Sequence, residues 1–539
     1  MSINHAFDAI IVGGGHNGLA AAAYLSKAGR RVLLLEKLDH PGGAAVSAQA
    51  FDGVDARLSR YSYLVSLLPQ QVIDDLGLQI TLARRRYSSY TPDPANPGRA
   101  LLVDNEDAAA TAASFTAIGA SDDEFRAFNE FYESCGKLTR ALWPTMTSPL
   151  PTRSAARELA VRAGAGDAWE AMVERPVGHA IARALRHDLV RGVVLTDALI
   201  GTFARADDDD LQQNICFLYH LIGGGTGDWD VPVGGMGAVS GELERAARDA
   251  GATILASAEV TSVRPGGIVS YRHDGALHTV SAPWVLSNVA PVVLDRLRTA
   301  EPAGALHATQ NPNHLREGAQ VKVNLLLKRL PRLLDDAVSP EAAFGGTFHI
   351  NETWPQLDAA YLSAAAGNVP DPLPCEIYCH SLTDPSILSP ELQAAGAQTL
   401  TVFGLHVPDR LVTAQNNEDR RAELQDAVLR SLNSVLAEPV EELLLAGPDG
   451  RPCIETKTTL DIERAVGMPR GNIFHGGLDW PFADDDASLD TPAQRWGVAT
   501  DDPQLLLCGS GARRGGAVSA IGGHNAAMAV LESEQPPRG

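Results

Sequence analysis

Residues 7–37 read FDAIIVGGGHNGLAAAAYLSKAGRRVLLLEK. Phe7 to Val12 is a short apolar run with β-branched residues, and it leads directly into GGGHNG at Gly13 to Gly18. LAAAAYLSKAG then supplies strong helix formers up to a stop at Gly29, and RVLLLEK reads as a second buried strand. Strand, glycine turn, helix and strand make one complete βαβ unit. Its spacing carries a chemistry: Gly13 permits the tight turn, Gly15 lets the backbone approach a pyrophosphate, and Gly18 lets helix and strand pack closely. The helix N-terminus adds a positive field. Glu36 ends the second strand, where a carboxylate accepts ribose hydroxyls and repels a 2′-phosphate, so the expected ligand is FAD or NAD rather than NADP.

Two further stretches favour FAD. HPGG at His40 to Gly43 places Gly42 and Gly43 for a second close backbone approach just after the ribose-binding acid. LLLCGSGARRGGAVSAIGGHNAAMAVL, from Leu505 to Leu531, reads as a buried strand, a glycine-rich turn and an alanine-rich helix, a second helix N-terminus facing the cofactor.

With PVGGMG at Pro232 to Gly237 and LSNVAP at Leu286 to Pro291, these two ends resemble the phytoene-dehydrogenase-like FAD oxidoreductases. SRYSYLVSLL (Ser59 to Leu68) and GNIFHG (Gly471 to Gly476) are most similar to the branch named pyridine nucleotide-disulphide oxidoreductase domain-containing protein 2. The chain lacks what that name promises, having neither a redox cysteine pair nor a second GxGxxG; GGGTGD at Gly223 to Asp228 puts an acid where the last glycine belongs. The resemblance implies Gly13, Gly15 and Gly18, with His16 and Asn17 between them, at the pyrophosphate; Glu36 and Lys37 at the ribose; and Gly42 and Gly43 beside the phosphates and ribityl chain. It also implies the Val260 backbone at adenine, and Gly509, Gly511, Gly516 and Val518 along pyrophosphate, ribityl chain and isoalloxazine. Arg513 and Arg514 stand where the branch usually shows a His-Pro-like pair.

The implied fold class is α/β: a discontinuous Rossmann-like (GR2-type) FAD-binding domain over 1–80, 232–300 and 460–532, with an α+β substrate or cap domain over 81–231 and 301–459. Residues 533–539 read as a disordered tail. Residues 105–220 look mostly helical, as in DDEFRAFNEFYESCGKLTRAL, while QVKVNLLL and QTLTVFGLHV suit a sheet floor beneath a pocket. TILASAEVTSV reads as a strand in the returning part of the cofactor domain.

The chain has 539 residues, 45% hydrophobic and 20% charged, as folded globular proteins do. Its 44 basic and 66 acidic residues give a net charge of −22, which disfavours nucleic acid and anionic lipid as partners. No apolar run spans a bilayer. The knot Arg84, Arg85 and Arg86 reads as a solvated strand end. Six scattered cysteines and no secretory leader suggest a reducing cytoplasm. No metal is expected: Cys375 and Cys379 are spaced CxxxC, and the runs Asp207 to Asp210 and Asp484 to Asp486 lack the alternation of a calcium loop.

With a flavin carrying the redox step, no nucleophile is needed. The candidate catalytic side chains are His220 in FLYHLIGGG, His475 in NIFHGG, Tyr61 beside the expected flavin, and Arg513, whose guanidinium could stabilise an anionic reduced ring. The expected activity is removal of a hydride from an organic small molecule, which can be apolar, by a dehydrogenase, desaturase or oxidase, with oxygen, a quinone or a carrier as acceptor. The alternatives are a redox-neutral flavin isomerase and a non-catalytic flavoprotein acting as an assembly partner.

Overall fold

The computed structural model describes residues 6–299 and 312–535. Its first layer is a five-stranded, all-parallel sheet in the order Leu505–Leu507, Trp284–Ser287, Ala9–Val12, Val32–Leu35, Thr253–Leu255. The central strands AIIV and VLLL are buried at every position, as a parallel sheet covered on both faces requires. One face packs on helix His16–Lys27, which is clamped between Met236–Asp249 and Ile521–Ser533. The contact with the last helix is close: a Cβ on Gly523 would lie 1.9 Å from the Asn17 carbonyl oxygen. The opposite face is covered by a three-stranded antiparallel sheet, Glu259–Arg264, Ile268–His273 and Ala276–Ser281, whose Val263 and Val269 meet Ile10, Val12 and Leu33.

TILASAEVTSV is two strands rather than one. Thr253–Leu255 belongs to the parallel sheet and Glu259–Arg264 to the antiparallel one. The break falls at Ser257, which adopts a left-handed φ of +52° while Ala258 donates to the Glu36 carbonyl at 2.7 Å.

The second layer is a seven-stranded mixed sheet in the order Ile454–Lys457, Gln320–Leu327, Gln398–Leu405, Cys375–Tyr378, Thr347–Ile350, Tyr87–Asp93, Asn96–Asp104. QVKVNLLL and most of QTLTVFGLHV are two adjacent interior strands of it, and Gln320–Leu327 is buried throughout. Over this sheet lies a run of helices from Ala108–Ala117 to Gln212–Ile222. The longest, Asp122–Leu142, starts with Ser121 accepting from the Glu124 amide and three acids in its first turn, both favourable at a helix N-terminus. Phe128, Cys135, Leu138 and Leu142 form its buried stripe.

At the end of the chain, Ser533 closes the last helix and Glu534 pairs with Arg30 at 2.6 Å; residues 536–539 lie outside the described residues, as does the domain boundary expected at 300–301. No helix among the described residues is long and apolar enough to cross a membrane. All six cysteines are free and buried.

Candidate functional site

The glycine turn makes a floor of bare backbone at the end of the parallel sheet. The Gly13 amide donates to the Leu35 carbonyl at 2.8 Å with φ at +97°, a conformation that favours glycine. Gly15 caps helix His16–Lys27, which has no acid in its first turn to compete for the amides. A Cβ on Gly18 would sit 2.3 Å from the Gly13 carbonyl oxygen, and one on Gly15 would sit 2.9 Å from Asn288 Nδ2. Gly42 donates to the Gly14 carbonyl at 2.8 Å, and a Cβ on Gly43 would lie 3.1 Å from Gly15 Cα. The two glycine segments therefore form one cradle of closely packed backbone, with the Asn288 side chain at its edge. Its acid, Glu36, accepts from the Gly14 amide at 2.6 Å and from the Leu38 amide at 2.8 Å, so its carboxylate is fixed while lone pairs on both oxygens stay available. On the rim, Lys37 pairs with Glu259 at 3.1 Å, next to Val260.

The C-terminal turn closes against this cradle. A Cβ on Gly509 would meet the Asn288 carbonyl oxygen at 2.4 Å, and one on Gly516 would meet Leu478 at 2.7 Å. Gly511 abuts Pro291 in the same way. Asn17 donates to the Gly515 carbonyl at 3.2 Å, leaving its buried Oδ1 without a partner beside the cradle. His475, Arg514, Ala517 and Ala520 all hold positive φ values here, strain of the kind that concentrates at ligand sites.

Beyond the two turns lies an apolar cavity of about 80 Å³. His16, Ser510, Ala517 and Val518 wall it on the parallel-sheet side; Phe403 comes from the seven-stranded sheet, and Ile200, Cys216, Tyr219 and His220 from the helical layer. Tyr61 and Tyr63 line it as well, and Tyr63 stacks on Trp229 with ring centroids 5.6 Å apart. Burial pushes the His16 imidazole down to about 4, so it is neutral at physiological pH. His220 contacts Asp197 at 3.2 Å, and burial works against both charges, taking the histidine down to about 3 and the acid up to about 7. Burial thus keeps the imidazole neutral beside an acid whose ionisation is strongly disfavoured.

Of the sequence-derived candidates, Tyr61, His220, His16 and Val518 meet at this cavity. His475 does not line it: it stands behind the Gly511 turn with a buried, unpartnered Nδ1, and burial lowers it to about 4. Arg513 does not line it either, because its guanidinium is taken by the Phe482 carbonyl. Arg514 is fully buried and spans the carbonyls of Thr145, Ser148 and Trp496. The arginine knot is likewise no uniform strand end. Arg84 pairs with Asp228 and Arg86 with Asp104, but Arg85 turns inward, donating to Trp229 O at 3.0 Å and Thr347 Oγ1 at 3.1 Å.

Two features escaped the sequence reading. Lys322, in the middle of QVKVNLLL, is fully buried and donates to the carbonyls of Ser59 and Ser62 at 2.9 and 2.7 Å, with its ammonium 4.8 Å from the Phe403 ring centroid. It pins the Tyr61–Tyr63 segment to the sheet; a charge inside an apolar strand was the readable signal. The second is a buried group of His349, Glu352 and Glu376 beneath a polar cleft on the far side of His220 and Trp229. It joins residues from two strands and a turn, so no local spacing announces it.

A parallel sheet with a glycine-floored turn, an acid ending its second strand and a second sheet closing an apolar cavity define a two-domain α/β fold built on a Rossmann-like dinucleotide-binding domain. The NAD(P)-binding Rossmann-like domain family matches residues 11–71. The chain is similar to pyridine nucleotide-disulfide oxidoreductase domain-containing protein 2 from Rattus norvegicus, at 27% identity over 97% of this chain and 93% of the rat protein. An uncharacterized protein of Mycobacterium tuberculosis is 58% identical over 97% of both chains. Among solved structures, cyclohexylamine oxidase from Brevibacterium oxydans has the same fold, with a TM-score of 0.54 at 16% identity over 98% of this chain and 99% of that one.

Proposed function

We propose that the chain is an FAD-dependent oxidoreductase that removes a hydride from an organic, largely apolar substrate held in the cavity. One observation carries this reading: a single apolar cavity is walled on one side by the two glycine-rich turns of the dinucleotide fold and on the other by the second sheet and its helices. The glycine cradle fits a pyrophosphate: Gly18 lets helix and strand pack closely, and Gly15 and Gly43 bring bare backbone together at the N-terminus of helix His16–Lys27. Gly13, Gly15, Gly18, Gly42 and Gly43 would present backbone to the phosphates, Glu36 would accept ribose hydroxyls, and the Val260 backbone would flank the adenine. Gly509, Gly511, Gly516 and Val518 would follow the cofactor towards the cavity. Bound there, FAD would supply the two-electron acceptor.

The chain's own residues do the rest. Tyr63, Trp229 and Phe403 exclude water and orient an apolar substrate against the Ala517–Val518 turn. Lys322 holds Tyr61 and Tyr63 in place through the Ser59 and Ser62 carbonyls. His220, neutral and 3.2 Å from Asp197, is the wall residue that can offer a hydrogen bond to a polar group of the substrate.

The test is anaerobic bleaching of the flavin band by a panel of apolar amines, alcohols and unsaturated lipids. A substrate that bleaches the wild type should fail with Cys216→Trp, which fills the cavity while retaining the flavin. Undiminished bleaching in that variant would move the substrate elsewhere.

A further inference from the structure

We propose that His349, Glu352 and Glu376 form a binding site for one divalent transition-metal ion. The geometry begins in the seven-stranded sheet, where strands Thr347–Ile350 and Cys375–Tyr378 run antiparallel with His349 directly opposite Glu376. Register partners point to the same face, so imidazole and carboxylate meet there. Asn351 then takes a left-handed φ of +59°, fixed by bonds from its side chain to Leu373 O and Ser431, and this turn swings Glu352 back beneath the pair. His349 Nδ1 lies 2.7 Å from Glu352 Oε2 and 4.0 Å from Glu376 Oε1, and one ligand atom of each of the three residues falls within 4.8 Å of the others. A dication about 2.0–2.2 Å from each donor fits among them once the His349–Glu352 contact opens slightly.

The surroundings are built as a metal's supporting shell is. Glu376 is oriented by Thr196 Oγ1 at 3.0 Å and by the Tyr378 hydroxyl at 2.6 Å. Glu352 is fully buried, and its Oε1 has no partner. The helix supplying Thr196 approaches so closely that a Cβ on Gly192 would lie 1.7 Å from the Glu352 carbonyl oxygen. Two carboxylates thus share a buried space, and the nearby cation, Arg85, gives its N–H groups to Trp229 and Thr347 instead. A buried acid is stable either protonated or beside a counter-charge, and a dication held here would match both carboxylates. The polar cleft lined by His349 and Glu376 gives an ion its way in, with Glu352 closing the bottom. One imidazole and two carboxylates suit Zn²⁺ or Mn²⁺.

The experiment is elemental analysis of full-length protein purified without chelators or metal-affinity resin. A second arm adds Mn²⁺ or Zn²⁺ to chelator-treated protein and follows its thermal midpoint. The expected result is about one ion per chain as purified, or a raised midpoint on adding either ion. Glu376→Gln and Glu352→Gln, which keep side-chain size, should lower the affinity at least about tenfold with unchanged circular dichroism. A metal-free chain whose midpoint neither ion moves overturns the proposal, as do variants that bind the ion as tightly as the wild type.

Discussion

His16 Nε2 lies 3.0 Å from the carbonyl oxygen of Ala517, joining the first turn of the first helix to the loop before the last one. This contact bridges 501 residues and sits on the wall of the apolar cavity. The two ends of the chain therefore build one site, and a change in either glycine turn is felt in both.

Gly15→Val should give folded, colourless protein. Its Cβ would press on Asn288 Nδ2 at 2.9 Å and intrude into the cradle, so flavin occupancy should fall more than about tenfold with circular dichroism unchanged. Absorbance of the purified variant measures this, and full occupancy would remove the pyrophosphate from this turn.

Glu36→Ala removes the acceptor of the Gly14 and Leu38 amides and the proposed ribose contact together. Hydrogen bonds to a charged group are worth about 1.5–3 kcal/mol each, so FAD should dissociate at least about tenfold more readily. Fluorescence titration of the released flavin reads this directly.

Arg513 and Arg514 should behave as opposites. Arg513→Ala loses one carbonyl contact from a half-buried position and should cost about 1 kcal/mol or less, with flavin retained. Arg514→Ala strands the Thr145, Ser148 and Trp496 carbonyls in the interior and should cost on the order of 3–5 kcal/mol. Urea unfolding of the two variants separates them.

Stability should fall on mild acidification. Burial holds His16, His406 and His475 near 4 and His380 near 3, below the ordinary 6.5. Between those values the unfolded chain binds protons that the folded chain refuses, so the stability is fully present above pH 6.5 and is lost as pH drops towards 4. Each histidine contributes up to about 1.4 kcal/mol per pH unit in that window. His406→Asn, compatible with the positive φ at that position, should flatten the slope of unfolding free energy against pH by about one proton.

The fold was legible where the physics is local. The turn from Gly13 to Gly18, Glu36 at a strand end and the buried strand at Leu505 could be read because phosphate approach and parallel pairing impose their residues within a few positions. The stripe of Asp122–Leu142 was readable for the same reason. Side-chain direction was not. Arg513 and Arg514 are neighbours in the sequence, yet the left-handed φ of +67° at Arg514 sends it into the core while Arg513 turns towards Phe482. His349 and Glu376 meet through strand register, which depends on the whole sheet, and Glu352 joins them through one turn at Asn351. The break in TILASAEVTSV hangs on Ser257, where the Glu36 carbonyl, two hundred residues earlier in the chain, draws the backbone from one sheet to the other.

The most direct measurement is the visible spectrum of the purified chain, with chromatographic identification and counting of whatever heat releases from it. The expected result is a flavin band and about one FAD per chain, retained through gel filtration. A colourless protein that remains so after incubation with excess FAD would contradict the assignment of the glycine cradle and of the cavity beside it.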